Sequence, residues 1–313
     1  MKCLVSGATG FIGRSLCRRL SADGHELLAL SKSGAALPDA TPTLALDLSI
    51  RQPDPGQLQG VEVVFHLAGI AHQHAQESAY RELNELATIE LARSARAAGV
   101  RCFVFLSSVK AMGPATTAAA RAEGDCVAPT DAYGLSKWRA ECALRAEFSD
   151  GPMAVVILRP ALVYGPLAKG NLALLARAAR LGLPRPPDLG GRSMIALADL
   201  VDVLCQVAGA PQQGVQTWIV ADGQTYTTRF IYDQLRRAAG KPEGTGWLPT
   251  AGWRLAAAVL DRVSASSGES TYDKLFGTEL YSAAALMAAT GWRPHTAFEQ
   301  VASSLMQPGG GQG

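Results

Sequence analysis

The chain has 313 residues, of which 29 are basic and 27 acidic, giving a net charge of +2 with no long run of either sign. That balance argues against nucleic acid or an anionic membrane as the main partner, and the length leaves room for one large α/β domain or two coupled ones. The six cysteines (Cys3, Cys17, Cys102, Cys126, Cys142, Cys205) form no CxxC pair and the five histidines no metal-ligand spacing, so buried thiols in a reducing compartment and no metal are expected. No apolar run reaches the roughly 18 residues of a spanning helix, and a soluble, cytoplasmic protein is expected.

The first element is a short apolar strand, Cys3-Leu4-Val5, running into Gly7-Ala8-Thr9-Gly10-Phe11-Ile12-Gly13. A helix follows from Phe11 to about Ala22, with Phe11, Ile12, Leu16 and Leu20 on one face. Glycines here allow a tight turn and close approach of a pyrophosphate, which the free N–H groups of the helix start can bind. Further strands are predicted at His25–Leu30, Leu44–Leu46, Val61–Leu67, Arg101–Ser107, Ala154–Leu158 and Val215–Val220. Helices are predicted at about Tyr80–Ala98 and Ala132–Phe148, then near Thr228–Ala239, Ala251–Val263 and Ser282–Ala289. Short β-rich runs alternating with helices predict a doubly wound parallel α/β sheet, with ligands beyond the carboxyl ends of its strands. Residues 1–166, with 192–224 returning, would form the dinucleotide-binding domain. Residues 167–191 and 225–307 would form a smaller, mostly helical substrate domain, followed by a disordered tail at 308–313.

The second constellation is Tyr133-Gly-Leu-Ser-Lys137. Four residues apart on a helix, the phenol and the ammonium share a face, and a nearby cation lowers a phenol's pKa towards working pH. Tyr133 then suits proton exchange with a carbonyl/alcohol pair. Ser107-Ser108 ends the preceding strand at the same edge, where a hydroxyl could hold the substrate oxygen. Capping of the next turn is the plainer role for those serines.

With these residues in view, the chain resembles the extended short-chain dehydrogenase/reductase family, in its NAD-dependent epimerase/dehydratase group of nucleotide-sugar enzymes. The likeness runs nearly end to end. It is carried by Gly7-x-x-Gly10-x-x-Gly13, His66-Leu67-Ala68-Gly69, Asn84 and Thr88, Leu106-Ser107-Ser108 and Tyr133-x-x-x-Lys137. Leu158-Arg159-Pro160, Val163-Tyr164-Gly165-Pro166 and Gly291-Trp292-Arg293-Pro294 continue it. The resemblance implies a Rossmann fold with Ser108, Tyr133 and Lys137 as the catalytic trio. It also implies a dinucleotide held by Gly7, Gly10, Phe11, Ile12, Gly13, Ala68, Gly69, Tyr133 and Lys137. Asp47 and Leu48 match the family's adenine contact, although a turn aspartate reads equally well. Asn171 and Arg192 match positions that hold the substrate's nucleotide, and His72 lies in a loop that could reach it.

Departures from the family pattern narrow the activity. Val109 and Lys110 stand where the 4,6-dehydratases carry an acid pair, so dehydration is rejected. Ser31-Lys32-Ser33 replaces the aspartate that NAD-preferring members place after the second strand. A cation and hydroxyls suit a 2′-phosphate, so NADP is expected, with NAD possible and a solvated Lys32 the plain alternative. The likeness points to a 4-ketoreductase acting on a UDP-4-keto-6-deoxy-N-acetylhexosamine in surface-polysaccharide sugar synthesis. A UDP-hexose or UDP-N-acetylhexosamine 4-epimerase is the alternative enzyme. A non-catalytic dinucleotide sensor is the alternative outside catalysis, disfavoured by the intact Tyr/Lys pair. The helix carrying Tyr133 often forms a dimer interface in the family, so a homodimer is a further expectation.

Overall fold

The computed structural model describes residues 1–71, 75–166, 171–264 and 270–306. In the first half the order is β1 (Lys2–Ser6), α1 (Phe11–Ala22), β2 (Glu26–Ser31), β3 (Leu44–Ala45), α2 (Pro55–Leu58), β4 (Val63–His66) and α3 (Glu77–Tyr80). A π-helical turn, Arg81–Leu86, joins α3 to α4 (Ala87–Ala97). Next come β5 (Cys102–Leu106), a 3-10 turn at Val109–Met112, α5 (Ala132–Phe148) and β6 (Ala154–Pro160). The second half holds β7 (Leu162–Tyr164), α6 (Asn171–Leu181), β8 (Gly191–Arg192), β9 (Met194–Ala196), α7 (Leu197–Gly209) and β10 (Val215–Val220). It ends with α8 (Thr228–Ala238), α9 (Thr250–Ser264), α10 (Thr271–Phe276), β11 (Thr278–Glu279), α11 (Ala284–Thr290) and α12 (Phe298–Met306).

Seven strands form one parallel sheet in the order β10-β6-β5-β4-β1-β2-β3. The strand sequences explain why it is covered on both faces. Val63–His66, Cys102–Leu106 and Ala154–Pro160 are buried at every residue, apolar throughout except for His66 and Arg159 near the ligand ends, as strands covered on both faces are. Alternate residues feed two cores. Val5, Phe65, Val104 and Val156 pack with Leu16 and Leu20 of α1 and with Leu200 and Leu204 of α7. Leu4, Val64, Phe103 and Ile157 pack with Leu91 of α4 and with Leu144 and Phe148 of α5.

Helix α7 and the short strands β7 and β9 were not predicted. Alternating Leu, Val and Ala around Leu197–Gly209 gave no turn signal to separate the helix from Met194–Ala196, which pairs in parallel with Leu162–Tyr164. The predicted helix at Tyr80–Ala98 exists but starts at Glu77 and widens into the π turn. Outside the main sheet, Tyr164, Leu172, Tyr226, Tyr232, Leu235 and Phe298 belong to a separate hydrophobic cluster. In the Gly291-Trp292-Arg293-Pro294 motif, Gly291 ends α11 with φ +71° and Trp292 packs into the sheet core, and the two residues that follow the motif are clasped to α7. The buried Asp199 carboxylate accepts bonds from the His295 and Thr296 N–H groups and from Thr296 Oγ1 at 3.3, 3.1 and 2.8 Å, clasping the C-terminal segment to α7.

Candidate active site

The glycine turn is shaped by space as well as by conformation. Gly7 has φ +70°, and a Cβ there would come within 2.8 Å of the Ala68 amide at the end of β4. A Cβ on Gly13 would lie 2.2 Å from the Gly7 carbonyl, so any side chain at that position pushes α1 off β1. Helix α1 starts at Phe11 and Ile12 after Gly10, with no side-chain cap on its first N–H groups. Those groups can receive a pyrophosphate. The exposed Gly69 makes a second cradle, because a Cβ there would sit 2.8 Å from Asn84 Oδ1 and 3.3 Å from Lys137 Nζ. Both bare backbone surfaces fit an extended dinucleotide laid across the strand ends.

A buried hydrogen-bond chain fixes the floor of this cradle. Thr88 Oγ1 donates to the Asn84 carbonyl at 2.8 Å and so accepts from His66 Nε2 at 2.9 Å. That assignment leaves His66 Nδ1 to accept from Ser6 Oγ at 2.7 Å, while Ser6 Oγ accepts the Ala68 N–H at 3.3 Å. Burial pushes the His66 imidazole down to about 3, so it stays neutral and holds this tautomer at working pH. Asn84, in the π turn, clamps Ile70 through both its amide atoms and donates to Ser136 Oγ at 3.1 Å. A π turn costs helix geometry, and here it delivers a side chain to the strand edge.

Ser108 and Tyr133 meet. The Ser108 hydroxyl lies near enough to the Tyr133 phenol to favour its ionised form, and the Tyr133 ring lies 6.4 Å from that of Tyr80. Ser108 also caps the 3-10 turn, accepting the Lys110 N–H at 3.2 Å, so the capping role expected for these serines coexists with the contact. Lys137 is buried on the same helix, donating to the Leu106 carbonyl at 2.9 Å with its ammonium 4.6 Å from the Phe105 ring centre. One expectation needs correction. The Tyr133 phenol is raised above its usual range by burial, with the Ser108 hydroxyl opposing this, and Lys137 is not among the groups that shift it. The ammonium points to Leu106 rather than to the phenol.

Burial pushes Lys137 down to about 8 from its usual 10.5. A lysine pKa lowered by folding costs stability below the folded value and ceases to cost it above the unfolded one. Lys137→Met should therefore stabilise the fold at pH 7 by up to about 3 kcal/mol, an advantage that fades between pH 8 and 10.5. Thermal unfolding across that pH range checks both size and direction.

Sequence reasoning missed the support behind Ser107. Its hydroxyl donates to Glu141 Oε1 at 2.5 Å, and Glu141, fully buried, pairs with Arg159 Nη2 at 2.5 Å and Arg145 Nη2 at 2.9 Å. Glu141 lies four residues beyond Lys137, on the face that carries Tyr133. A carboxylate continuing a buried face was the available signal.

At the second strand, the structure departs from the expected phosphate site. Ser31 is buried; its Oγ accepts the Gly34 N–H at 3.0 Å and meets Thr43 Oγ1 at 2.7 Å, whose own proton goes to the Ala35 carbonyl. The Ser31 proton is thus committed to Thr43, which removes it as a phosphate donor. Lys32, with its side chain 82 % exposed, pairs with Asp47 at 2.8 Å, and this pairing holds the Asp47 carboxyl below its usual range. Leu48 is buried beside Asp47. On the opposite side, Arg192 of β8 donates to the Lys274 carbonyl at 2.5 Å and lines a small cleft with Leu172, Leu175 and Thr228. Asn171 opens α6, and His72 lies outside the described residues. Val109 is buried and Lys110 Nζ pairs with Glu279 at 2.7 Å, so neither supplies an acid or base beside Ser108.

Residues 3–221 match the family described as "NAD dependent epimerase/dehydratase family". A UDP-glucose 4-epimerase of Vibrio cholerae is 31 % identical over 318 residues, covering 97 % of this chain and 95 % of that one. A dTDP-6-deoxy-L-talose 4-dehydrogenase (NAD(P)(+)) of Kitasatospora kifunensis is 30 % identical over 275 residues, covering 80 % and 85 %. Among solved structures, MoeE5 in complex with UDP-glucuronic acid and NAD superimposes with a TM-score of 0.78 at 23 % identity over 98 % of both chains.

Proposed function

Because the chain belongs to the NAD-dependent epimerase/dehydratase family, we propose that it transfers hydride at C4 of a nucleoside-diphosphate hexose, as a 4-ketoreductase. The observation that carries this reading is the nearness of the Ser108 and Tyr133 hydroxyls at the strand edge faced by the glycine cradles, with the Lys137 ammonium at the Gly69 cradle. The substrate is a ready-made 4-keto sugar of the UDP-4-keto-6-deoxy-N-acetylhexosamine type, since Val109 and Lys110 leave no acid pair to make one by dehydration. The substrate domain expected at 167–191 and 225–307 would hold its nucleotide end, and the Arg192 guanidinium, anchored on the Lys274 carbonyl, offers the diphosphate a cation.

A bound nicotinamide supplies the hydride to the carbonyl carbon. Tyr133 gives its proton to the oxygen as the alcohol forms, and burial keeps the phenol protonated until then. Ser108 Oγ holds the same oxygen. The Lys137 ammonium, held by the Leu106 carbonyl and facing the Gly69 cradle, reaches towards the cofactor ribose.

The test is direct. NADPH or NADH oxidation is expected on adding the UDP-keto sugar, and none with a simple aldehyde. Arg192→Ala should raise KM about tenfold while changing kcat little, as loss of a remote anchor does. Absence of cofactor oxidation with the keto sugar would end the reductase reading. The Vibrio cholerae relative favours the second reading, a 4-epimerase that keeps its NAD through the cycle. Interconversion of UDP-glucose and UDP-galactose without added cofactor would establish it.

With Ser31 committed, cofactor choice now rests on Lys32 and the exposed Ser33 hydroxyl. An NADP preference requires the exposed ammonium to leave Asp47 for the 2′-phosphate. Lys32→Ala should then weaken NADPH binding about tenfold, about 1.4 kcal/mol, and leave NADH unchanged. Equal losses for both cofactors, measured by calorimetry, would remove the NADP preference.

A further inference from the structure

The lysine two residues beyond Ser108 has no part in the hydride and proton transfers described above, yet it touches both ends of the site. The backbone of Lys110 belongs to the Ser108–Tyr133 side. Its N–H donates to Ser108 Oγ at 3.2 Å, and its carbonyl packs on the start of α5, where a Cβ on Gly134, next to Tyr133, would come within 2.5 Å of it. Its side chain leads away to another element. The ammonium pairs with Glu279 Oε1 at 2.7 Å, and Glu279 lies on β11. That strand runs parallel to β8, in a register that sets Glu279 opposite Arg192 itself. The Ser193 N–H also donates to the Glu279 carbonyl at 2.9 Å. One residue therefore connects the hydroxyl proposed to hold the sugar oxygen with the strand that carries the proposed diphosphate anchor.

The segment 278–282 acts as a strap between these two parts. On the β8 side, the Tyr281 N–H donates to Ser193 Oγ at 2.9 Å. On the other side, the Arg121 N–H donates to the Leu280 carbonyl and the Ser282 N–H to the Arg121 carbonyl, both at 2.9 Å. Arg121 is buried, and its guanidinium donates to the Met112 and Gly113 carbonyls at 2.5 and 2.7 Å, where the 3-10 turn that starts at Ser108 ends. Arg121 thus secures the far end of the turn in the interior, while Lys110 and Glu279 tie the near end, with side chains 39 % and 35 % exposed. A pair so open to water contributes little to stability, so its consequence is geometric. A sugar nucleotide makes contacts at both of its ends at once, and the gain from linking them depends on the spacing of the two places that receive them. We propose that Lys110, through Glu279, is a positioning residue that holds the Arg192 strand at the distance from Ser108 that a nucleoside-diphosphate sugar spans. This rests on the reading of Arg192 as the diphosphate anchor.

Calorimetry on the full chain, with UDP and with UDP-N-acetylglucosamine as a stable sugar nucleotide, tests this without turnover. UDP reaches the anchor side alone, so its affinity should be the same in wild type, Lys110→Met and Glu279→Ala. The affinity of UDP-N-acetylglucosamine relative to UDP should fall about tenfold in both variants, and Lys110→Arg, which keeps the pair, should retain it. Tm should change little in all three, as expected for a partly exposed pair. An unchanged ratio in Lys110→Met overturns the proposal and leaves the nucleotide-sugar reading intact. Equal losses for both ligands overturn it too, because the link would then support only the anchor. A loss in Lys110→Met that Glu279→Ala does not share overturns it as well, since the ammonium would then touch the sugar itself. Wild-type protein that binds neither nucleotide ends the nucleotide-sugar reading and the proposal with it.

Discussion

Tyr133→Phe should lower turnover on the UDP-keto sugar at least about a hundredfold, the usual scale for losing a general acid. The change removes one hydroxyl whose neighbour, Ser108, caps the 3-10 turn and so stays in place. The ring keeps its packing beside Tyr80. Cofactor affinity should therefore change little, because the glycine cradles and Lys137 are untouched. Near-wild-type turnover in a stopped-flow measurement of the variant would show that the proton comes from elsewhere. Ser108→Ala should act on the same step, with a smaller loss, since it orients the oxygen without supplying the proton.

The second large effect concerns stability. Glu141→Ala would leave Arg159, only 2 % exposed, without its carboxylate in the interior. Breaking one side of a buried pair typically costs 3–5 kcal/mol. Thermal unfolding should shift down by about 5–10 °C. The hydroxyl of Ser107 would lose its acceptor too, and with it the strand end that leads to Ser108. Replacing both partners, Glu141→Leu with Arg159→Met, should recover much of the loss by removing the unpaired charge. A single Glu141→Ala variant as stable as wild type would mean that water reaches Arg159.

The sheet and its ligand edge were legible because each strand is a short apolar run bounded by a turn, and each crossover helix has its own periodicity. Tyr133, Lys137 and Ser108 were legible for the same reason: strand end and helix face place them together. What sequence reading could not supply was competition for atoms. Ser31 carries the right group for a phosphate, but Thr43 and Gly34 already hold it. Lys137 sits one turn from Tyr133, yet the Leu106 carbonyl draws its ammonium away. Glu141 continues the buried face of α5, but its partner Arg159 arrives from β6, eighteen positions further on, where no local pattern announces it. The second half was harder because β7, β8, β9 and β11 have two or three residues each, too few to show a period.

The strand order has a consequence for synthesis. β10 pairs along β6 from Val215 against Val155 to Val220 against Pro160, and closes that side of the sheet. Chain growth delivers β6 first, and everything from Ala161 to Gly214 must be made before its cover exists. At about 5–20 residues per second, that interval lasts several seconds on the ribosome. Throughout it Val155-Val156-Ile157-Leu158 offers unpaired backbone groups on an apolar edge, the feature that recruits other chains into aggregates. Slower elongation through residues 161–214 should lower soluble yield without changing the stability of the finished protein.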